Sequence, residues 1–217
     1  EAAYIINDCG AKLFISSCVK AELASELLRD MPVVESRLMV NGTVNGYESY
    51  EALRDQMPQQ PIADEAAGID MLYSSGTTGK PKGVKIPLPD MNVGDESSNL
   101  VLLSKGLYGF GRETIYLSPA PLYHAAPLRY NLVTLLFGGT SVVMEDFNDQ
   151  EALRLIEKYQ ITHSQWVPTM FVKMLKLPEQ VRTKYDVSSL QVAIHAAAPC
   201  PIEIKEKMID WWGPVIF

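Results

Sequence analysis

One segment brings glycines, hydroxyl side chains and lysines close enough together to bind an anion. Residues 73–84 read Tyr-Ser-Ser-Gly-Thr-Thr-Gly-Lys-Pro-Lys-Gly-Val. The glycines let the backbone turn sharply and present N–H groups, while the hydroxyls add donors and the lysines add positive charge. Because the segment follows one apolar run and leads into another, we predict a loop between two strands that surrounds a small anion.

The spacing of this loop excludes the phosphate loop of the P-loop NTPases. That motif needs four residues between its first glycine and the Gly-Lys pair, then Ser or Thr, then a helix. Here two residues separate Gly76 from Gly79, and Pro81 follows Lys80. The alternative without a function is a polar surface hairpin, but a turn does not require so dense a run of Ser, Thr, Gly and Lys.

Residues 70–84 resemble the signature loop of the adenylate-forming superfamily, which contains acyl-CoA synthetases, peptide synthetase adenylation domains and luciferases. In that family the loop holds the β- and γ-phosphates of ATP while a carboxylate attacks the α-phosphate. The resemblance implies that Lys82 has a catalytic role, because its charge would stabilise the leaving pyrophosphate. The ATP-binding residues implied here are Ser74, Ser75, Gly76, Thr77, Thr78, Gly79, Lys80 and Lys82.

A second segment, residues 118–127, reads Ser-Pro-Ala-Pro-Leu-Tyr-His-Ala-Ala-Pro and resembles the family's second marker. In the family an aromatic residue or a His precedes a helix there, beside the acyl pocket. The resemblance implies that His124 lies where the substrate carboxylate and the thiol meet, as a gate or positioning group more than a proton carrier. Without the resemblance, a lone His at a helix start is usually structural.

Two later strand-to-helix turns also resemble the family. Residues 166–171 resemble the turn that carries acyl-pocket residues, which implies substrate contacts for Trp166 and Met170, although such a cluster is also typical of a core. Residues 195–201 resemble the small-residue turn where adenine and the acyl group approach the backbone, the alternative being an ordinary strand-to-helix turn. The nucleotide-binding residues implied there are Ala196, Ala197, Ala198 and Pro199.

Composition and charge limit the classes of function. The 217 residues are 47% hydrophobic with a net charge of −7, which indicates a globular chain without the basic face that nucleic-acid binding needs. No apolar run approaches the roughly 18 residues of a transmembrane segment. The three cysteines have neither disulfide nor metal spacing, so we assign no metal ligands, predict that Cys200 is an inert packed thiol, and expect a cytoplasmic location.

The elements that must position these segments alternate between short apolar runs and longer stretches of helical period. This pattern predicts an α/β fold with mainly parallel sheets flanked by helices. Asn148 and Asp149 predict one helix start, Pro168 and Pro178 bound another helix, and the glycines at 138 and 139 predict a helix end. The predicted strands are 12–15, 37–40, 69–73, 83–86, 114–117, 141–144, 163–166, 191–194 and 215 onward, and the predicted helices are 19–29, 92–105, 125–137, 150–159, 169–175 and 202–212.

The resemblance implies that residues 1–217 are an incomplete part of the large N-terminal domain of an acyl-CoA synthetase, with residues 56–67 a subdomain linker and the C-terminal domain absent. In the family, an acid that follows the strand at 215 holds Mg²⁺, and the C-terminal domain carries a catalytic lysine. We therefore expect a parent ligase that uses ATP, Mg²⁺, a carboxylic acid and coenzyme A. We expect this chain alone to be inactive and, through exposed apolar surface, to form homo-oligomers.

Three alternatives to a carboxylate–CoA ligase remain open. A peptide synthetase adenylation domain usually carries an Asp after the second marker, but residues 125–136 offer Arg129 and Asn131 and no acid. A luciferase-like enzyme shares the ATP loop, and a non-catalytic nucleotide-binding module would keep the loop as a relic. The bulky apolar residues suggest fatty acid metabolism, yet the sequence does not choose between fatty, aromatic and steroid-like acids.

Overall fold

The structure is a computed structural model that describes residues 1–74, 79–95 and 98–217. The chain divides into two compact units, Glu1–Val93 and Gly94–Phe217. Each unit contains a parallel sheet with helices, which confirms the predicted α/β class. Residues 56–67 lie inside the first unit, outside its helices and strands, and their role as a linker stays a prediction.

The first unit is built on a three-stranded parallel sheet and a hairpin. Its elements are α1 (Ala2–Asp8), β1 (Leu13–Ser17), α2 (Ala21–Leu27), β2 (Ser36–Val40), β3 (Glu48–Ser49), α3 (Tyr50–Arg54), β4 (Leu72–Tyr73) and β5 (Gly83–Val84). The strand order is β1-β2-β3, with Leu13 opposite Ser36 and Leu38 opposite Glu48. Strands β4 and β5 pair antiparallel, which fits a loop that leaves one strand and returns into the next.

Apolar side chains from helices and loops cover the sheet of the first unit. Ile6 of α1 packs in one cluster with Met31 and Val34, and Ala24 of α2 packs in another with Met39 of β2. Burying a side chain of the size of Ile or Met stabilises a fold by about 1.5–3 kcal/mol. Ile6 therefore fixes α1 to the body of the unit.

The second unit is a four-stranded parallel sheet with helices on both faces. Its elements are α4 (Asn99–Gly106), β6 (Ile115–Ser118), α5 (Ala125–Leu136), β7 (Thr140–Val143), α6 (Asp149–Tyr159), β8 (His163–Trp166), α7 (Pro168–Leu175), α8 (Glu179–Arg182), β9 (Val192–His195) and α9 (Ile202–Trp212). The strand order is β7-β6-β8-β9, and all pairs are parallel. Ile216 adds a parallel bridge to Ala193, at the strand predicted from 215 onward.

Alternating residues of the second sheet face two separate cores. Tyr116 joins the cluster that contains residues of α4 and α5, whereas its neighbour Leu117 joins the cluster that contains residues of α6, α7 and α9. Ile194 and Ala193 divide between the same two clusters in the same way. This period of two is what a strand covered on both faces shows, and it explains why β8 is buried along its whole length although it contains His163, Ser164 and Gln165.

The helix boundaries follow the predicted signals at most ends. The Asn148 side chain accepts a hydrogen bond from the Glu151 N–H at 2.8 Å, and Pro168 is the first residue of α7. One prediction is wrong at its start: the helix expected over 92–105 begins at Asn99, after Gly94 with a φ of 100°. Pro178, predicted to close α7, follows its last residue, Leu175, by three residues and also caps α8.

Candidate functional site

The hairpin of β4 and β5 joins the two ends of the anion loop. The Ser74 N–H donates to the Lys82 carbonyl at 3.0 Å, which extends the pairing of Tyr73 with Gly83 by one step. A Cβ atom at Gly83 would lie 2.8 Å from Cζ of Tyr73, so the close approach of that ring requires glycine. The sequence folds locally so that both ends of the loop leave one rigid base.

The structure describes four of the residues predicted to bind ATP. Ser74, Lys80 and Lys82 are exposed, and a Cβ atom at Gly79 would meet no atom within 4 Å. Hydroxyl and ammonium groups beside open space can bind an anion that arrives from solvent. The other predicted loop residues, Ser75, Gly76, Thr77 and Thr78, lie outside the described residues.

Helix α1 contacts the hairpin through two side chains. The Tyr73 hydroxyl donates a hydrogen bond of 2.6 Å to the Asp8 carboxylate, and the Lys80 ammonium lies 4.9 Å from the centroid of the Tyr4 ring. The hydrogen bond to Asp8, followed by burial, raises the pKa of the Tyr73 phenol. Neither contact was predictable from the sequence, because each joins residues far apart in the chain, with a separation of 65 residues between Asp8 and Tyr73 in the first.

The second unit places three of the predicted segments at one edge of its sheet. Strands β6, β8 and β9 are neighbours and parallel, so their last residues, Ser118, Trp166 and His195, all lie at the carboxyl edge. The Ala196 N–H donates to the Trp166 carbonyl at 3.1 Å, which holds two of these segments together. Open α/β sheets bind ligands outside this edge.

His124 is the residue immediately before α5, and its side chain is exposed. Its imidazole lies 4.5 Å from the ring of Tyr123, centroid to centroid, and makes no capping hydrogen bond to the helix. The structure thus places His124 after β6, at the carboxyl edge, with its ring open to solvent. A ring in this position can contact a substrate, and its role stays a prediction.

Trp166 and Met170 lie in the larger core cluster of the second unit. Trp166 has no exposed surface and Met170 is 8% exposed. The Trp166 ring packs edge to face against Trp212 at 5.3 Å between centroids. Both side chains therefore pack in the core, which the sequence left open as an alternative. Their contact with a substrate stays a prediction.

The small-residue turn that follows β9 contains a left-handed residue. Ala197 has a φ of 72°, and residues 197–199 are exposed. A non-glycine residue in this conformation costs roughly 1–2 kcal/mol, because its Cβ atom approaches the following carbonyl oxygen. The turn bends sharply without a glycine and leaves only methyl groups and a proline ring at its surface.

Burial shifts the pKa values of two groups beside this turn in the direction that favours their uncharged forms. Burial, with a smaller contribution from Lys205, lowers the pKa of the His195 imidazole, and burial raises the pKa of the Cys200 thiol. The raised pKa supports the prediction that Cys200 is inert. The Nε2 atom of His195 is buried and has no hydrogen-bond partner among the described residues.

Asn131 connects α5 to β6 from inside the fold. Its side-chain NH₂ donates to Ser118 Oγ at 2.8 Å and to the Pro127 carbonyl at 2.7 Å. The side chain is buried, so its amide fixes the start of α5 relative to the end of β6. This contact positions the segment that carries His124.

The described residues contain no cluster of side chains typical of a metal site. Among them, no group of three or more His, Cys, Asp or Glu side chains is placed to hold a metal ion. Mg²⁺ in proteins is bound by carboxylates together with substrate phosphates, so we assign no step to this ion. Within the same described ranges, no helix has the length and apolar character needed to cross a bilayer.

A comparison with protein families decides which of the sequence resemblances holds. The AMP-binding enzyme family matches residues 1–217, the full length of the chain. The chain belongs to this family. The AMP-binding enzymes most similar to it include 4-coumarate-CoA ligase 1 of Narcissus pseudonarcissus, 28% identical over 209 residues, which cover 92% of this chain and 36% of the relative. Acyl-CoA synthetase 7 of Caenorhabditis elegans is 35% identical over 156 residues, covering 69% of this chain and 28% of the relative.

Solved structures of a CoA ligase and of an amide bond synthetase share the fold. The anthranilate CoA ligase AuaEII, solved with anthranoyl-AMP, superposes with a TM-score of 0.81 at 23% identity, covering 100% of this chain and 42% of that one. The amide bond synthetase McbA from Marinactinospora thermotolerans gives a TM-score of 0.78 at 23% identity, covering 99% of this chain and 41% of that one. This chain therefore spans about two-fifths of each solved chain and 36% and 28% of the two curated relatives.

Proposed function

We propose that this chain carries the ATP-binding loop of an ATP-dependent carboxylate–CoA ligase that works through an acyl-adenylate. The observation that carries the proposal is the hairpin of β4 and β5, which joins Ser74 to Lys82 and leaves both side chains exposed. A loop of hydroxyls and lysines fits the phosphates of ATP because the exposed ammonium groups of Lys80 and Lys82 can donate charged hydrogen bonds.

The reaction has two group transfers. In the first, a carboxylate oxygen attacks the α-phosphorus of ATP, a new O–P bond forms, and the bond to pyrophosphate breaks. The ammonium of Lys82 stabilises the negative charge on the leaving pyrophosphate. In the second, the thiol of coenzyme A gives its proton to water and its sulfur attacks the acyl carbon, and the C–O bond breaks so that AMP leaves with the bonding electron pair.

Residues of the second unit carry further roles in the proposal. His124 positions the carboxylate and the thiol, and the Ala196 to Pro199 turn leaves room for the nucleotide because its side chains are small. Trp166 and Met170 support the acyl pocket from the core beneath the carboxyl edge. The support for these roles is that their segments follow the carboxyl ends of β6, β8 and β9.

The proposal extends from the chain to the whole enzyme. We infer that residues 1–217 form part of a large N-terminal domain, because the chain spans 36% of 4-coumarate-CoA ligase 1 and 28% of Acyl-CoA synthetase 7. The names of these two relatives favour coenzyme A as the acyl acceptor and an aromatic or fatty acid as the substrate. We also propose that the whole enzyme is located in the cytoplasm.

ATP binding by the chain tests the loop directly. We expect Lys82→Met to weaken ATP binding about tenfold or more in isothermal titration calorimetry, because a charged hydrogen bond contributes about 1.5–3 kcal/mol. Lys85→Met is the matched control, since Lys85 is also exposed but lies beyond β5, and it should change the Kd less than about twofold. Equal effects of the two substitutions, or a folded wild-type chain that binds no ATP, would contradict the proposal.

A further inference from the structure

We propose that α1 is the support that positions the ATP loop, with Asp8 as the positioning residue. The inference rests on the proposed role of the loop in binding ATP. It assigns a role to a helix that the sequence analysis did not predict.

The first contact holds the start of the loop. The Tyr73 hydroxyl donates to Asp8 at 2.6 Å, and Tyr73 directly precedes Ser74, the first loop residue predicted to bind ATP. A hydrogen bond to a carboxylate is shorter and stronger than one between neutral groups. The Tyr73 ring also packs over Gly83, so the same side chain joins α1 to both strands of the hairpin.

The second contact holds the other end of the loop. Tyr4 lies four residues before Asp8, and side chains four residues apart share one face of a helix. The Lys80 ammonium lies 4.9 Å from the centroid of the Tyr4 ring, within the range of a cation–π interaction. One face of α1 therefore contacts the loop at both Tyr73 and Lys80.

The helix is itself fixed to the body of the first unit. Ile6 is 8% exposed and packs with Met31 and Val34, while the Asn7 side chain donates to the Asp30 carbonyl at 2.7 Å. These contacts leave the face with Tyr4 and Asp8 for the loop. A support must be anchored in this way, because a free helix would move together with the loop.

The two loop lysines have different surroundings. Lys80 lies on the Tyr4 ring, whereas no ring contact or ion pair holds Lys82 among the described residues. Both ammonium groups are exposed. The contact with Tyr4 thus fixes the backbone near Lys80, and Lys82 keeps its charge available to the phosphates.

Limited proteolysis tests the support without ATP. Trypsin cleaves after Lys82 but not after Lys80, because Pro81 follows Lys80. We expect Asp8→Ala and Tyr73→Phe each to accelerate cleavage after Lys82 about fivefold or more, because cleavage tracks the population of the open loop. The double variant should match the single variants, since all three lack the same hydrogen bond.

Three further variants separate positioning from folding. Tyr4→Phe keeps the aromatic ring, so trypsin should cleave this variant after Lys82 at the wild-type rate. Tyr4→Leu removes the ring and should be cleaved faster. Glu26→Gln, which neutralises an exposed carboxylate on α2, should have no effect. Urea unfolding of each variant checks that the chain stays folded, so that faster cleavage after Lys82 reports the loop.

ATP titration of the same variants separates the two proposals. Faster cleavage together with an ATP Kd raised about fivefold agrees with both proposals, that α1 positions the loop and that the loop binds ATP. Faster cleavage in a chain whose wild-type form binds no ATP supports the support helix and overturns the ATP proposal. Unchanged cleavage in folded Asp8→Ala and Tyr73→Phe variants overturns the support helix, whatever the ATP affinity.

Discussion

Ala197 is the residue at which backbone conformation and proposed chemistry coincide. Its φ of 72° is left-handed. Glycine adopts this region without a steric penalty, whereas alanine does not. We expect Ala197→Gly to raise the free energy of unfolding by about 0.5–1 kcal/mol, because relief of the Cβ clash exceeds the entropy that glycine adds to the unfolded chain. Urea unfolding followed by circular dichroism measures the change.

Ala198 provides the control for this substitution. It is exposed in the same turn, and its φ is not left-handed. Ala198→Gly should therefore lower the free energy of unfolding by about 0.4–1 kcal/mol, because glycine gains only unfolded-state entropy there. If both substitutions destabilise the chain equally, Ala197 does not hold the left-handed conformation in solution.

At the residue scale, the sequence was a better guide to the predicted chemistry of the loop than to the side-chain contacts around it. The hydroxyls, glycines and lysines of the loop are recognisable because they are adjacent in the chain. The contact of Asp8 with Tyr73 was not predictable, because it depends on how α1 packs. The conformation of Ala197 was not predictable either, since alanine gives no signal for a positive φ.

At the scale of elements, His163 joins β8 to the chain that precedes β6. Its Nε2 atom lies 2.8 Å from the Tyr108 carbonyl, which can only accept, so Nε2 carries the proton of a neutral imidazole. Its Nδ1 atom lies 2.8 Å from the Thr162 hydroxyl. Burial lowers the pKa of His163, partly offset by the hydrogen bond to Tyr108.

This buried imidazole predicts a loss of stability in acid. The unfolded chain binds the His163 proton more readily than the folded chain, so stability falls as the pH drops below the unfolded pKa of about 6.5. The difference in unfolding free energy between wild type and His163→Gln should therefore shrink from about pH 7.5 to about pH 5. His195 and His124 are present in both proteins, so a constant difference would show that His163 titrates normally.

The elements of the second unit were predictable because short strand-like runs alternate there with longer stretches of helical period. Strands β6, β7, β8 and β9 were recognised in this way, and helices cover both faces of their sheet. Strand β3 has two residues and α3 has five, and both were missed because such short segments show no periodicity. Helix α1 was missed for the same reason, with seven residues.

At the scale of the whole molecule, the two units carry different parts of the proposed chemistry. The first unit holds the ATP loop, and the second holds the carboxyl edge with His124 and the small-residue turn. The sequence predicted the family and the α/β class, because the motifs occur in the family's order along the chain. It did not predict the boundary after Val93, because no change in composition marks that boundary.

The most direct test of the account is carboxylate-dependent exchange of pyrophosphate into ATP. The assay uses the protein expressed from its complete reading frame, coenzyme A withheld, and a panel of fatty, aromatic and amino acids. We predict exchange with at least one acid that is not an amino acid, and loss of that exchange in Lys82→Met. A folded protein that binds ATP but exchanges pyrophosphate with no acid would contradict the account and favour a non-catalytic nucleotide-binding module.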